Sequence, residues 1–260
     1  MKTHFTDEKK HILDDGQLIE GRNPVLEAFR AGRPVEKLYI LDRCQDGPLV
    51  SIRREAKKHD SVVRYVDKER LDQLSPTGRH QGVIAKVAAY EYAAVADILE
   101  RARQRGEAPF VILLDNIEDP HNLGAIIRSA NLVGAHGIII PENRSVGLTQ
   151  AVARTSAGAI NYTPVAKVVN LTRTMEELKK AGLWFVCADA GGNSMYELEL
   201  TGAVGLVVGG EGRGVSRLVS KACDFHAAIP VCGEIASLNS SVAAAVLAYE
   251  ILRQRRSVKG

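Results

Sequence analysis

The feature that most constrains this 260-residue chain is a set of five near-continuous apolar runs in its second half: FVILLD (110–115), HGIIIP (136–141), WFVCAD (184–189), AVGLVVGG (203–210) and HAAIPV (226–231). A strand with one wet face alternates apolar and polar residues, and these runs do not. Strands apolar on both faces belong to a parallel sheet covered by helices on each side. An α/β domain is therefore expected from Phe110 onward, running to a last helix placed at about Ser237 to Gln254.

The upstream half reads differently. Residues 1–17 are polar and aperiodic, which predicts a flexible arm. Asn23 as cap, Pro24 at the first helical position and Gly32 as terminator frame a short helix. A strand (Lys37–Leu41), a basic helix (Pro48–His59), a β-branched run (Val62–Val66), a helix (Lys68–Leu74) and a strand (Val83–Ala88) follow. This alternation suits a small α/β domain over 18–92. The charged, alanine-rich stretch 93–108 is expected to be a linker, with a helix at Val95–Arg105, before the larger domain at 109–260.

Composition removes several classes. Hydrophobic residues at 45% and charged residues at 25% are globular averages. No apolar run reaches the ~18 residues a spanning helix needs, and MKTHFTDEKKHILDD carries no signal-like stretch, so a cytoplasmic protein without membrane partners is expected. The scattered Cys44, Cys187, Cys223 and Cys232 form no CxxC pattern, so no metal site is expected and the thiols read as reduced, buried side chains. A net charge of +3 is too small to argue for nucleic acid by itself.

Three polar segments leave apolar strands at the same end: DNIEDPHNLGAIIRSA, GGEGRGVS and CGEIASLNSS. In an open parallel sheet, ligands bind outside the carboxyl ends of the strands, so the three are expected to meet at one cleft. The glycine segment completes neither GxGxxG nor a GK[ST] phosphate loop, which speaks against a dinucleotide enzyme. Asp119 before Pro120 reads as a helix cap, and Asn122 as a surface residue of the first turn. Arg128, among Ala125, Ile126, Ile127 and Ala130, is either a snorkelling side chain or a guanidinium aimed at phosphate or carboxylate. Glu211 sits between glycines, where a carboxylate packs poorly. Ser237, Asn239 and Ser240 offer more caps than one helix needs.

These three segments, in this order and spacing, closely resemble the motifs of the SpoU (TrmH) family of RNA ribose 2′-O-methyltransferases in the SPOUT superfamily. Upstream, EGRNPVLEAF and RHQGVIA resemble the small RNA-binding domain, similar to certain ribosomal proteins, that precedes it in the RlmB-like branch. The resemblance implies a C-terminal α/β domain with a parallel sheet and a trefoil knot, which strand and helix alternation alone would not suggest. It implies S-adenosyl-L-methionine as cofactor, with Gly209, Gly210, Gly212, Ile229 and Leu238 at the binding positions. Arg128, Asn122, Glu211, Ser237 and Asn239 match the catalytic positions. One departure is visible, since members often read SLNVS where this chain has SLNSS.

RNA contact is assigned to Arg22, Asn23, Arg53, Arg54, His80 and Gln81 in the first domain, although a basic helix face by itself reads as solvated surface. The resemblance points to ribosomal RNA, with a guanosine of 23S rRNA preferred and tRNA second, and to a homodimer. Two other classes fit less well: a nucleotide-dependent oxidoreductase, whose phosphate loop is missing, and a non-catalytic RNA-binding protein, against which GGEGRG and SLNSS stand. The apolar run Val242 to Ala248 is wider than a single core face requires, so the last helix is expected in the dimer interface.

Overall fold

The computed structural model describes residues 17–30, 32–42, 47–75, 77–87, 90–235 and 237–258. The expected arm therefore lies outside the described residues, except that Gln17 already opens a strand; Cys44 also lies outside them. The chain divides into two compact units, the first reaching to Glu91 and including Gly147–Gln150, the second beginning at Tyr92.

The first unit runs β1 (Gln17–Glu20), α1 (Arg22–Arg30), β2 (Val35–Leu41), α2 (Gly47–Lys58), β3 (Val62–Val66), α3 (Lys68–Leu74) and β4 (Val83–Val87). Its sheet has the order β1-β4-β2-β3, with β2 and β3 parallel and the β4 pairings antiparallel. Helix α1 starts earlier than expected. The Gly21 carbonyl accepts from Val25 N–H at 3.1 Å, so Asn23 lies exposed in the first turn and is not the cap. Gly32, at φ +66°, closes the helix while the Arg33 amide returns to the Ala28 carbonyl. Val25, Phe29, Leu38, Ile40, Leu49, Ile52 and Val83 form the core.

The second unit contains α4 (Val95–Gln104), β5 (Phe110–Asp115), α5 (Pro120–Leu132), β6 (Gly137–Pro141), α6 (Gln150–Thr155), β7 (Val165–Val168), α7 (Leu171–Lys180), β8 (Trp184–Ser194), β9 (Val204–Gly209), α8 (Arg217–Ala222), β10 (Phe225–Ala228) and α9 (Ser240–Val258). Its six-stranded sheet is parallel throughout, in the order β10-β8-β9-β5-β6-β7. Val111, Leu113, Ile139, Phe185 and Val207 pack with Ile98, Met175, Leu178 and Val219 of α4, α7 and α8. The alternate residues Ile112, Leu114, Leu206 and Val208 are also buried, and α5 and α9 pack on each other and on β6 and β9. Burial on both faces is why these strands carry no alternation.

Several expectations need adjusting. The 93–108 segment is no free linker: α4 buries Ile98 and Ala102 in the core of the second unit. Strand β7 and helix α7 were not foreseen, β7 being only 4 residues long and α7 strongly amphipathic but short. β10 stops at Ala228, ahead of Pro230, which has no amide to continue the ladder. Helix α9 begins at Ser240, three residues later than Ser237, and extends to Val258. Cys187 is buried as expected, whereas Cys223 is half-buried and Cys232 exposed. Among the described residues no helix is long and apolar enough to cross a membrane, and no group of three or more His, Cys, Asp or Glu could hold a metal ion.

Candidate active site

The carboxyl ends of β5 and β9 are locked together before any functional side chain is placed. Asp115, the last residue of β5, accepts Gly210 N–H on its carbonyl at 2.9 Å and Ser216 N–H on Oδ2 at 2.7 Å. Asn116 follows with φ +60° and donates from Nδ2 to the Gly214 carbonyl at 3.2 Å. The loop after β9 is thereby drawn tight. A Cβ on Gly209 would overlap the Gly214 backbone, and one on Gly210 would overlap the Asn116 carbonyl oxygen, so both positions require glycine.

Asp119 caps α5 as expected, its Oδ1 accepting His121 N–H at 2.9 Å with Pro120 next in sequence. That start places Asn122 in the first turn facing inward. Asn122 is buried, contrary to a surface residue, and donates from Nδ2 to Glu211 Oε1 at 3.0 Å. Asn239 completes the cluster: its Nδ2 donates to Asn122 Oδ1 at 3.0 Å and, over a very short contact, to Glu211 Oε1. Its own Oδ1 caps α9, accepting Ser241 N–H at 2.9 Å and Val242 N–H at 3.3 Å. Of the surplus cap candidates, Asn239 is thus the cap; Ser240 is buried as the first residue of α9, and Ser237 is exposed.

Beside this cluster lies a cleft of about 650 Å³, within the usual size of a small-molecule site. Gly209, Gly210, Gly212, Ile229 and Leu238 all line it, together with Glu211, Ser237 and Asn239. Arg128 does not. It is exposed on α5, with no hydrogen-bond or charge partner among the described residues. Burial does not account for it.

Sequence reasoning missed Asp189, which lines the same cleft from β8. Its place at the end of the WFVCAD run was the available signal, because strand carboxyl ends are where ligands bind. Asp189 Oδ1 accepts Gly191 N–H at 3.0 Å and Oδ2 pairs with His226 Nδ1 at 3.0 Å. These bonds, the Gly191 amide first, hold its carboxyl below the usual range against the opposing pull of burial.

In the first unit the expected RNA residues fall into two groups. Arg22 donates from Nε to the Gln81 carbonyl at 3.0 Å, and Gln81 Oε1 accepts Arg22 N–H at 3.3 Å, so Arg22, Asn23 and Gln81 share one rim. Arg53 and Arg54 lie on α2; Arg54 is exposed, while Arg53 stacks over the Tyr65 ring at 5.3 Å. His80 is a correction. It is buried, accepts Gly82 N–H on Nδ1 at 3.0 Å and meets Asp72 Oδ1 through Nε2 at 2.9 Å, so it braces the loop from inside.

A parallel sheet whose strand ends hold a glycine-walled cleft, with a carboxylate fixed by two amides at its edge, defines an α/β enzyme for a nucleoside-sized ligand. The sequence matches the model of the SpoU rRNA Methylase family over residues 109–249 and that of the RNA 2'-O ribose methyltransferase substrate binding domain over residues 18–93. The chain belongs to the SpoU family and is an S-adenosylmethionine-dependent methyltransferase.

Its relatives include a Bacillus subtilis protein, YacO, named for the TrmH family of tRNA/rRNA methyltransferases, 46% identical over 241 residues, 92% of this chain and 96% of that one. Among solved structures, the SpoU methyltransferase AviRb from Streptomyces viridochromogenes, in complex with AdoMet, aligns with a TM-score of 0.57 and 26% identity over 94% of this chain and 91% of that chain. The A. aeolicus TrmH/SpoU tRNA modifying enzyme aligns with a TM-score of 0.54 and 25% identity over 62% and 86%.

Proposed function

We propose that this protein methylates a ribose 2′-hydroxyl in structured RNA, with residues 18–92 gripping the RNA and residues 109–260 carrying out the transfer in the cytoplasm. The observation that carries this reading is the Asn122–Glu211–Asn239 cluster at the edge of the glycine-walled cleft. The cleft fits S-adenosyl-L-methionine: Gly209, Gly210 and Gly212 would present backbone groups, and Ile229 and Leu238 apolar surface. When bound, that cofactor supplies an electrophilic methyl group on sulfur.

The residues of the chain then have separable tasks. Both amides occupy Oε1 of Glu211, while Oε2 has no partner among the described residues and stays available to accept from a hydroxyl. Asn122 and Asn239 fix the carboxylate so that alignment is established before the substrate arrives. Ser237, exposed on the cleft wall, offers a second hydroxyl contact. The planar guanidinium of Arg128, a cation with five N–H donors and no acceptor, is suited to clamping phosphate and stabilising a developing alkoxide better than to removing a proton. Its open position on α5 supports a role toward RNA, since it is absent from the cleft wall.

A guanosine of 23S rRNA and a ribose in tRNA are the two candidate targets, and the names of the relatives support both. Incubating the protein with radiolabelled cofactor and separate 23S rRNA and tRNA transcripts, then mapping ribose methyls by mass spectrometry in a deletion strain, tests the reading. A 2′-O-methyl missing from one RNA in the deletion strain and restored by the purified protein is expected. Methylation on a base, or none, would overturn it.

Assembly as a homodimer through α9 belongs to the same proposal. Ala244, Leu247, Ala248 and Ile251 are buried within the unit, while Val242 and Tyr249, seven residues apart on one face, are 45% and 49% exposed. Sedimentation equilibrium of the wild type and of Val242→Asp/Tyr249→Asp tests it. A dimer that becomes monomeric is expected; a wild-type monomer that still methylates RNA would remove the dimer from the mechanism.

A further inference from the structure

Strand β8 does not stay in register with its neighbour. His226 pairs with Cys187, but the next residue of β10, Ala227, pairs with Asn193, so the stretch 188–192 bulges out between two bridged positions. Gly192 makes this possible, because a Cβ there would overlap the His226 carbonyl. The bulge carries Ala188, Asp189 and Ala190 onto the cleft wall.

Asp189 is one of two carboxylates that line the cleft, and it differs from Glu211, which is tied to the amides of Asn122 and Asn239. Each Asp189 oxygen has one partner, Gly191 N–H on Oδ1 and His226 Nδ1 on Oδ2. A carboxylate has about four acceptor sites, so about two remain, one on each oxygen. The side chain is 45% exposed. Two adjacent acceptors on a rigid carboxylate at a strand's carboxyl end suit a vicinal diol, the arrangement by which acidic residues in nucleotide sites read a ribose. The apolar residues nearby, Ala190, Ile229, Val231 and Leu238, give a base a surface to lie on.

We propose that Asp189, oriented by His226 and the Gly191 amide, recognises the ribose hydroxyls of the cofactor. This rests on the cleft being the cofactor site. The bonds within the bulge also give Asp189 a purely structural role, and binding measurements separate the two. Isothermal titration of the full chain with S-adenosylhomocysteine, and with its 2′,3′-dideoxy analogue, is compared between wild type and Asp189→Asn. The asparagine keeps an acceptor for Gly191 N–H and so preserves the bulge. The wild type should bind the dideoxy analogue roughly 10- to 100-fold more weakly than the parent compound, the range for hydrogen bonds to a charged group. Asp189→Asn should lose a similar factor with the parent compound and little with the analogue.

An Asp189→Asn variant that loses affinity equally for both compounds would overturn the ribose assignment in favour of a contact elsewhere on the ligand. One that binds both as the wild type does would leave Asp189 a structural residue. Failure of the wild type to bind S-adenosylhomocysteine at all would instead sink the cofactor reading of the cleft, and this inference with it. Thermal unfolding of the variant within a few degrees of wild type confirms that the bulge is intact.

Discussion

Asn122 and Glu211 lie 89 positions apart in sequence and are joined by a 3.0 Å hydrogen bond at the edge of the cleft. The bond links the first turn of α5 to the loop after β9, and Asn239 closes the triangle from the start of α9. Three segments are thus held by two side-chain amides and one carboxylate.

Asn239 serves two purposes that substitutions can separate. Replacing it by alanine removes the α9 cap, at a cost of about 1 kcal/mol, and frees Glu211. Asn239→Asp keeps the acceptor for Ser241 and Val242 N–H but sets a second carboxylate against Glu211. Chemical denaturation should show the alanine variant weakened through its cap, and methyl transfer should fall about 100-fold in both variants. An aspartate variant with wild-type turnover would reduce Asn239 to a cap.

Arg128 makes no contact that folding needs, so Arg128→Lys should change stability by less than about 0.5 kcal/mol. Lysine keeps the charge and loses the planar fork, and RNA methylation should fall about 100-fold with cofactor affinity unchanged. Single-turnover kinetics alongside titration calorimetry measure both. Normal turnover would remove Arg128 from the reaction.

Gly210→Ala tests the loop. The added methyl would meet the Asn116 carbonyl oxygen, backbone that cannot swing aside. A destabilisation of about 1–3 kcal/mol is expected, together with weakened cofactor binding as the loop moves off Asp115. A variant with unchanged unfolding midpoint and affinity would mean that the loop is not held as tightly as its hydrogen bonds indicate.

His136 sets a pH dependence. It is fully buried, its Nδ1 accepting Phe110 N–H at 2.9 Å and its Nε2 facing Glu107 Oε2 at 3.2 Å. Burial lowers its pKa from the ordinary 6.5, outweighing the Glu107 contact. A folded-state pKa below the unfolded one means that the unfolded chain takes up the proton first, so stability is full above about pH 6.5 and is lost as pH falls below it. Urea unfolding from pH 7.5 to 5 should show this decline. His136→Gln should be less stable at pH 7.5 yet flatter over the window, and a profile parallel to wild type would assign the decline to other groups.

The boundary between what could be read and what could not follows the range of the interactions. The apolar runs from FVILLD to HAAIPV were enough to establish a parallel sheet covered on both faces, and the Asp119-Pro120 cap was legible because it is settled within a few residues. Strand β7 went unread, too short for its pattern to stand out, and the 93–108 stretch passed for a linker because the core that buries Ile98 and Ala102 comes from distant residues. Asn122 looked like surface because its burial depends on Glu211 and Asn239, far along the chain, and Arg128 stood open between a snorkelling side chain and a guanidinium for phosphate or carboxylate because helical neighbours do not reveal which face a packed helix leaves open. His80 passed for an RNA ligand although the loop folds it inward onto Asp72. Local sequence determined most of the elements, the Asp119 cap and the strand ends where chemistry would gather. Tertiary structure alone decided which polar groups meet there, since a hydrogen bond across 89 residues exists only after two strands and their loops have been brought side by side.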